Sequence, residues 1–352
     1  MFKNIQYPVG QGGLHLGVVG KFAYIYDCGG WGATTNWNDT LKDVVDNIKG
    51  CMTLYLYISH FHGDHCNKLR DLFGKLPKGI DIKFYYPKPS TIQKIVLLAE
   101  SNYNPNDDLY AQRSDEYYDL IFDTDKFIND EYVEKQKIKI NPISIDPIRQ
   151  KQSMEQVRRK GFDAIPVFEA APARENFLLD AFVTLHNKTK IGHFKKMLKA
   201  RGWHIDEDLL KDLKYNSRTL QEIRKIYRGS VGLIHGTMLC LYAGLRRHHE
   251  KHNWLHTGDM NLSYVQKRAF YRHYRRYLPY TNYIQIPHHG SNAYHTPDFN
   301  VLKENDHAVF FLTRQQSPSA SSTRHVTPHL KFSYSPHELI EVEEALSSKI
   351  VT

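Results

Sequence analysis

The residues best equipped for chemistry in this chain stand together at Ser59-His60-Phe61-His62-Gly63-Asp64-His65, with three imidazoles and a carboxylate inside six positions. Neutral imidazole and carboxylate bind zinc and similar divalent ions at about 2.0–2.2 Å. On an extended backbone His60 and His62 point the same way. Gly63 permits a sharp turn, so that Asp64 and His65 face the same cavity from another side. Four ligands in so short a segment exceed what one open catalytic ion takes from a single turn. The spacing therefore predicts two neighbouring ions, one on His60/His62 and one on Asp64/His65. Cys66 follows directly and reads as a small buried side chain behind the site rather than a ligand.

Two ions about 3.5–4 Å apart need a bridging anion and further ligands. Leu255-His256-Thr257-Gly258-Asp259 offers Asp259 after a strand and a glycine, and Pro287-His288-His289-Gly290 offers His288 and His289 at the end of another.

The elements that must hold these groups surround them. The apolar run TLYLYIS leads into the first motif as a strand. Before it, LHLGVVGKFAYIYDCGG reads as two strands joined at Gly20-Lys21, and DTLKDVVDNIKG as a helix with Leu41, Val44, Val45 and Ile48 on one face and Gly50 as its stop. A short helix over Asn67–Phe73 and a strand at IDIKFYYP follow. STIQKIVLLAES reads as a helix capped by Ser90. Residues 102–163 are polar, Tyr-rich and acidic. NFLLDAFVTLHN returns to strand character, and three short basic helices fill 188–230. TMLCLYAGL, NWLHTGDM, NYIQIPHHGSN and HAVFFLT have strand-like spacing, and SPHELIEVEEALSS reads as a C-terminal helix.

The set PVGQGG, YDCGG, SHFHGDH, TGDM and PHHGSN, in that order, resembles the metallo-β-lactamase-fold hydrolases. Within them it resembles the hydrolase domain of the DNA-uptake competence protein ComEC and its soluble relatives, over roughly residues 8–75 and 232–330. The resemblance implies an α/β (α+β) four-layer αββα sandwich over 1–352 as a single domain, with helical insertions at about 89–175 and 187–230. It implies two divalent ions, Zn or Mn, on His60, His62, Asp64, His65, Asp259 and His289, with Asp259 as the bridge. The chain departs from the pattern where Gly13 replaces the usual Asp after Gly-Gln-Gly. A separate histidine for the first ion would be His186 or His235, though each reads more readily as an ordinary strand or loop residue. The family's His-Pro loop falls on SPSASSTRHVTPH, with His325 or His329 in its place.

Two such ions acidify a bridging water, so a hydroxide can attack phosphorus in line with the leaving oxygen. Asp64, His288 and His325 are the catalytic candidates, the histidines as proton donors to that oxygen. Arg324 and the 319–323 loop either donate to the phosphate or form a solvated turn. The net charge of +9 is concentrated in 188–228 and 246–277, which favours a polyanionic partner. KRAFYRHYRRYLPY sets Arg272, Arg275 and Arg276 among aromatics, as a nucleic-acid surface or as an amphipathic helix with Phe270 and Tyr274 in the core. The sequence thus predicts a metal-dependent phosphodiesterase, foremost a nuclease. The alternatives are an enzyme on a small diester such as a cyclic nucleotide or phosphocholine ester, and a non-catalytic nucleic-acid-binding or scaffold protein. A protein partner on the 102–163 segment is a further expectation, and the oligomeric state is left open. The N-terminus lacks the apolar run of a signal peptide, and no apolar stretch approaches the ~20 residues of a membrane helix. Four cysteines form no C-x-x-C pair. The expectation is a cytoplasmic protein with reduced thiols and no membrane association.

Overall fold

In the strands Phe22–Gly30 and Thr53–Tyr57 the side chains alternate between two destinations. Ala23, Ile25, Leu54 and Leu56 go to one core, and Tyr24, Tyr26, Tyr55 and Tyr57 to another. Apolar residues on both faces mark a sheet covered on both sides. The structure, a computed structural model, describes residues 2–31, 35–100, 119–136, 138–145, 177–185, 188–230, 237–245, 252–260, 264–290, 302, 304–314, 338–343 and 350–352.

Strands β1 (Phe2–Gln6), β2 (Gly12–Val19) and β3 (Phe22–Gly30) form an antiparallel meander. Helix α1 (Trp37–Ile48) is capped by Asn36, whose side chain accepts from the Asp39 N–H, and buries Leu41, Val44 and Ile48. It crosses to β4 (Thr53–Tyr57), parallel to β3. Two short helices, α2 (Gly63–Cys66) and α3 (Leu69–Phe73), lead to β5 (Asp81–Pro87). Helices α4 (Thr91–Glu100) and α5 (Thr124–Ile128) precede β6 (Ile140–Ile145). The first sheet runs β1-β2-β3-β4-β5-β6.

The second sheet opens with β7 (Phe177–Leu185). Helices α6 (Lys188–Ala200), α7 (Glu207–Tyr215) and α8 (Ser217–Ser230) separate it from the antiparallel β8 (Thr237–Leu245). Then come β9 (Trp254–His256), α9 (Tyr264–Tyr274), β10 (Tyr283–Gln285), β11 (Val309–Arg314) and β12 (Glu338–Glu343). The order is β12-β11-β10-β9-β8-β7, with β9 to β12 parallel. A last strand, β13 (Ile350–Val351), returns to the edge of the first sheet beside β1.

Three apolar layers hold this together. Tyr24, Tyr26, Tyr57, Phe177, Leu179, Leu239 and Leu241 pack between the sheets. α1 and α3 cover the outer face of the first sheet, and α9 covers the second through Phe270 and Tyr274. The result is the four-layer αββα sandwich. Helices α4, α6, α7 and α8 share a core of their own, with Ile95, Phe194, Leu213 and Ile223.

The C-terminal helix expected from SPHELIEVEEALSS is a correction. Glu338–Glu343 is a strand paired in parallel with β11. Leu339 packs to one side, while Ile340 and Val342 pack to the other against Trp254 and Phe311. Pairing to a buried neighbour outweighs the helix preference of a glutamate-rich run. The short helix expected over 67–73 begins earlier, inside the ligand motif, as α2 and then α3.

Between the sheets sit two histidines that no charge among the described residues compensates. The His15 and His256 rings lie 4.3 Å apart. Burial and the neighbouring His256 hold His15 well below its usual range, and burial pushes His256 down to about 3. Both must stay neutral in the fold, so their stabilisation is present above the unfolded pKa and is lost as pH falls below it. Relative to a His256→Phe variant, the metal-free protein is expected to lose roughly 2 kcal/mol between pH 7 and pH 5. Denaturant unfolding of both chains at each pH checks this, and parallel pH profiles would refute it.

Candidate metal centre

The parallel strands of both sheets aim their carboxyl ends at one rim, where α/β sheets place their ligands. β4 runs out into His60–His65, β9 into Asp259 and β10 into His288-His289. Hydrogen bonds join the sheets at this rim: the Leu239 N–H donates to Ser59 O at 2.8 Å, the Tyr26 hydroxyl to Leu239 O at 2.6 Å, and the Thr313 hydroxyl to Gly12 O at 2.6 Å.

The six expected ligands converge in two groups. His60, His62 and Asp259 form one, and Asp64, His65 and His289 the other, with the ligand atoms of each within 4.8 Å of one another. Asp259 faces both. Its Oδ2 lies 3.7 Å from His60 Nε2, while its Oδ1 lies 3.3 Å from His65 Nε2 and 3.5 Å from His289 Nε2. Asp64 Oδ2 is 3.7 Å from His289 Nε2 and 3.9 Å from His65 Nε2. Donor atoms around a tetrahedral ion with ~2.0–2.1 Å bonds lie about 3.3 Å apart. His65 Nε2, His289 Nε2 and Asp259 Oδ1 are buried and make no hydrogen bond. Orphaned buried polar atoms are costly, and a shared cation satisfies all three, so the donor set fits divalent metal.

The tautomers agree with that fit. His60 Nδ1 is 2.9 Å from Ser59 Oγ, which itself donates to Asp27 Oδ2. His65 Nδ1 donates to Asp27 Oδ2 at 2.7 Å, and His289 Nδ1 to Thr313 O at 2.9 Å. Each contact holds the proton on Nδ1 and turns the Nε2 lone pair inward. His288 and His289 hold left-handed backbone, φ 50° and 51°, a strained state for side chains of this size. The His288 N–H anchors the turn on Gly258 O at 3.0 Å.

Charge in the cluster is balanced internally. Burial opposes ionising His65, but Asp259, Asp27 and Asp64 outweigh it and hold the imidazole well above its usual range. Burial also works against the Asp259 carboxylate, and His288, His65 and His289 overcome it, keeping Asp259 well below its usual range. Burial raises Asp27. Protons on the histidines thus stand where metal binding would displace them.

The floor of the site is backbone against backbone. A Cβ on Gly12 would lie 2.4 Å from Asp64 O, and one on Gly29 2.6 Å from Cys66 N. Gly13, the departure from the family pattern, has a comparable cause: a Cβ there would lie 2.8 Å from Asp27 Cβ and 3.0 Å from its Oδ2. Cys66 is buried, donates to His62 O and belongs to neither ligand group.

The remaining candidates divide. His288 adjoins the cluster, its Nε2 3.5 Å from Asp259 Oδ2. Arg272, Arg275 and Arg276 are exposed on α9 and the turn after it, with the Arg276 guanidinium over Tyr277. Phe270 and Tyr274 are core, as an amphipathic helix requires. Tyr277 stacks on Tyr242, and the chain then reaches Asn253 at the start of β9. These arginines therefore lie toward the end of the sheet opposite the ligands. His186, His235, His325, His329, Arg324 and the 319–323 loop fall outside the described residues.

Sequence reasoning missed Asp27, Ser59, Glu100 and Thr313. Asp27 was visible within YDCGG, as an aspartate between a strand and two glycines. Glu100 carried no signal, since nothing in the sequence places the end of α4 beside His62. Gln11 and Trp31 also adjoin the motif: Gln11 Nε2 donates to Asp64 Oδ2 at 3.3 Å, and the exposed Trp31 indole lies against Gly63.

No protein-family model matches the chain, and no curated protein does. Among solved structures it is similar to the metallo-β-lactamase fold protein YhfI from Bacillus subtilis (11% identity, 100% of this chain and 99% of that one, TM-score 0.45). It is also similar to unliganded yeast PDE1 (10%, 97% of each chain, 0.48) and to the long form RNase Z from yeast (11%, 99% and 41%, 0.39). With two mixed sheets between helical layers and both ligand groups on one rim, the chain has the metallo-β-lactamase fold.

Proposed function

We propose that this chain is a metal-dependent phosphodiester hydrolase acting on nucleic acid. The observation that carries the reading is Asp259, with one carboxylate oxygen turned toward His60 and the other toward His65 and His289. A dinuclear pair held there, Zn or Mn, would supply Lewis-acid polarisation of the phosphoryl oxygens and an activated water for in-line attack. Asp259 holds the two ligand groups together, and Asp64 belongs to the second with His65 and His289. His288, its Nε2 3.5 Å from Asp259 Oδ2, would deliver a proton to the leaving oxygen, a role His325 shares as a candidate. Trp31, 55% exposed against the ligand turn, offers a face on which a base can stack.

A second reading, hydrolysis of a small diester, is favoured by the placement of Arg272, Arg275 and Arg276 away from the cluster. Only a polymer leaving the site could reach them. Incubation with labelled single- and double-stranded DNA and RNA, with Mn or Zn and an EDTA control, separates the readings when run beside a small chromogenic diester. EDTA-sensitive cleavage of nucleic acid is expected. Changing the three arginines together to serine is expected to lower nucleic-acid affinity and its salt slope by roughly one per lost phosphate contact. Small-diester turnover should be unchanged. Cleavage of the small diester alone transfers the assignment to the second reading, and no metal-dependent hydrolysis of either substrate refutes both.

A further inference from the structure

Three of the four histidines in the two ligand groups are held through Nδ1 by Ser59, Asp27 and Thr313, and present Nε2 to the cluster. His62 is held the other way round. Its Nε2 lies 3.0 Å from Glu100 Oε2. Glu100 is the last residue of α4, outside the loops that carry the ligands. Its side chain is 8% exposed, and its Oε1 accepts from the Tyr227 hydroxyl on α8. Arg224, one turn earlier on α8, donates to Leu98 O at 3.3 Å. Both helices belong to the core that α4, α6, α7 and α8 build among themselves.

We infer that Glu100 is a positioning residue of the metal centre. It fixes His62 with the proton on Nε2, so that Nδ1 is the ligand atom toward His60 and Asp259. A carboxylate accepts hydrogen bonds and donates none, so a neutral His62 facing Glu100 must carry its proton on Nε2. The lone pair then resides on Nδ1, on the opposite side of the ring. Such a partner fixes ring orientation and raises the basicity of the ligand. The helical insertion thereby supplies part of one ion's support, through Tyr227, Glu100 and His62 in series. The other group, Asp64, His65 and His289, draws its support from Asp27 and Thr313 in the sandwich itself. Loss of Glu100 is therefore felt at one ion and not at both. The inference rests on the two-ion reading proposed above, though not on the identity of the substrate.

The test is metal binding rather than turnover. Full-length protein is stripped of metal and titrated with Zn against a chromophoric chelator, as wild type, Glu100→Ala and Glu100→Gln. Wild type is expected to show two binding events. Glu100→Ala should weaken one of them by roughly 10- to 100-fold and leave the other within about twofold. Glu100→Gln keeps an acceptor oxygen for the Nε2 proton and should recover most of the loss, which a general loosening of α4 would not allow. In the Zn-loaded protein labelled with 15N-histidine, His62 should show coordination through Nδ1. Equal weakening of both events, no weakening, a glutamine variant as impaired as alanine, or Nε2 coordination at His62 each overturns the inference while leaving the two-ion reading intact. A wild type that binds no Zn overturns both.

Discussion

Asp259→Ala is expected to release at least one ion and to lower hydrolysis by about three orders of magnitude, equivalent to roughly 4 kcal/mol of transition-state stabilisation. Among the described residues Asp259 alone addresses both ligand groups through separate oxygens. Without it the first group keeps His60 and His62, and the second keeps Asp64, His65 and His289. The second ion should therefore be the better retained, and elemental analysis should fall from about two ions per chain toward one. The metal-free variant should still melt cooperatively, because the cores between and outside the sheets do not include Asp259. Wild-type protein holding a single ion, with the variant holding it equally well, refutes the dinuclear assignment.

Asp27 is expected to give the largest change in stability. Its carboxylate is fully buried and accepts from the Ser59 N–H at 2.6 Å, the Ser59 hydroxyl at 2.8 Å and His65 Nδ1 at 2.7 Å. Asp27→Ala strands all three donors and places alanine at φ 59°. A loss of about 3–5 kcal/mol is expected, the range for removing one partner of a buried pair. Asp27→Asn separates fold from function. Asparagine tolerates this backbone and still offers an oxygen to the Ser59 N–H, so most of the stability should return. Its amide nitrogen then faces His65 Nδ1, which must accept, and the proton moves to Nε2, where the ion should bind. Metal affinity of the Asp64/His65/His289 group is expected to fall roughly 10- to 100-fold even though the chain folds. Urea unfolding of the metal-free variants, paired with Zn titration, measures both effects. An asparagine variant that binds both ions as wild type does would show that Asp27 serves the fold alone.

Much of this architecture is legible in the chain because it is periodic. Leu54/Leu56 against Tyr55/Tyr57 declares a strand covered on both faces, and Leu41, Val44 and Ile48 declare a helix lying on it. The ligand set is legible because it is local: four of the six ligands sit within six positions at the end of one strand, and the other two each follow a later strand. What escaped is set by tertiary contact. Glu338–Glu343 has the composition of a helix and becomes a strand because β11 offers a parallel edge. Glu100 meets His62 through the packing of α4 on α8, across 38 positions of sequence. The arginines of α9 have the right chemistry for phosphate, yet the helix carries them away from the ligands, because Phe270 and Tyr274 fix its path along the sheet. Composition specifies what a surface can bind and leaves open which end of the molecule it occupies.

The glycine floor under the ligand turn divides the site into a part that can vary and a part that cannot. At Gly12 and Gly29 any side chain would meet main-chain atoms of α2 at about 2.4–2.6 Å, and main chain cannot swing aside as a long side chain can. No sequence of small adaptive steps passes through those positions with the metal-binding turn still in place. Trp31 is under no such constraint, since it is exposed and approaches from the end of β3. A duplicated copy of this gene could therefore diverge toward a new ligand by exchanging the exposed wall at Trp31 while inheriting the floor unchanged. The same asymmetry tells a protein engineer where to place a combinatorial library: at Trp31 and on the helices apart from Glu100 and Tyr227, with Gly12 and Gly29 left untouched.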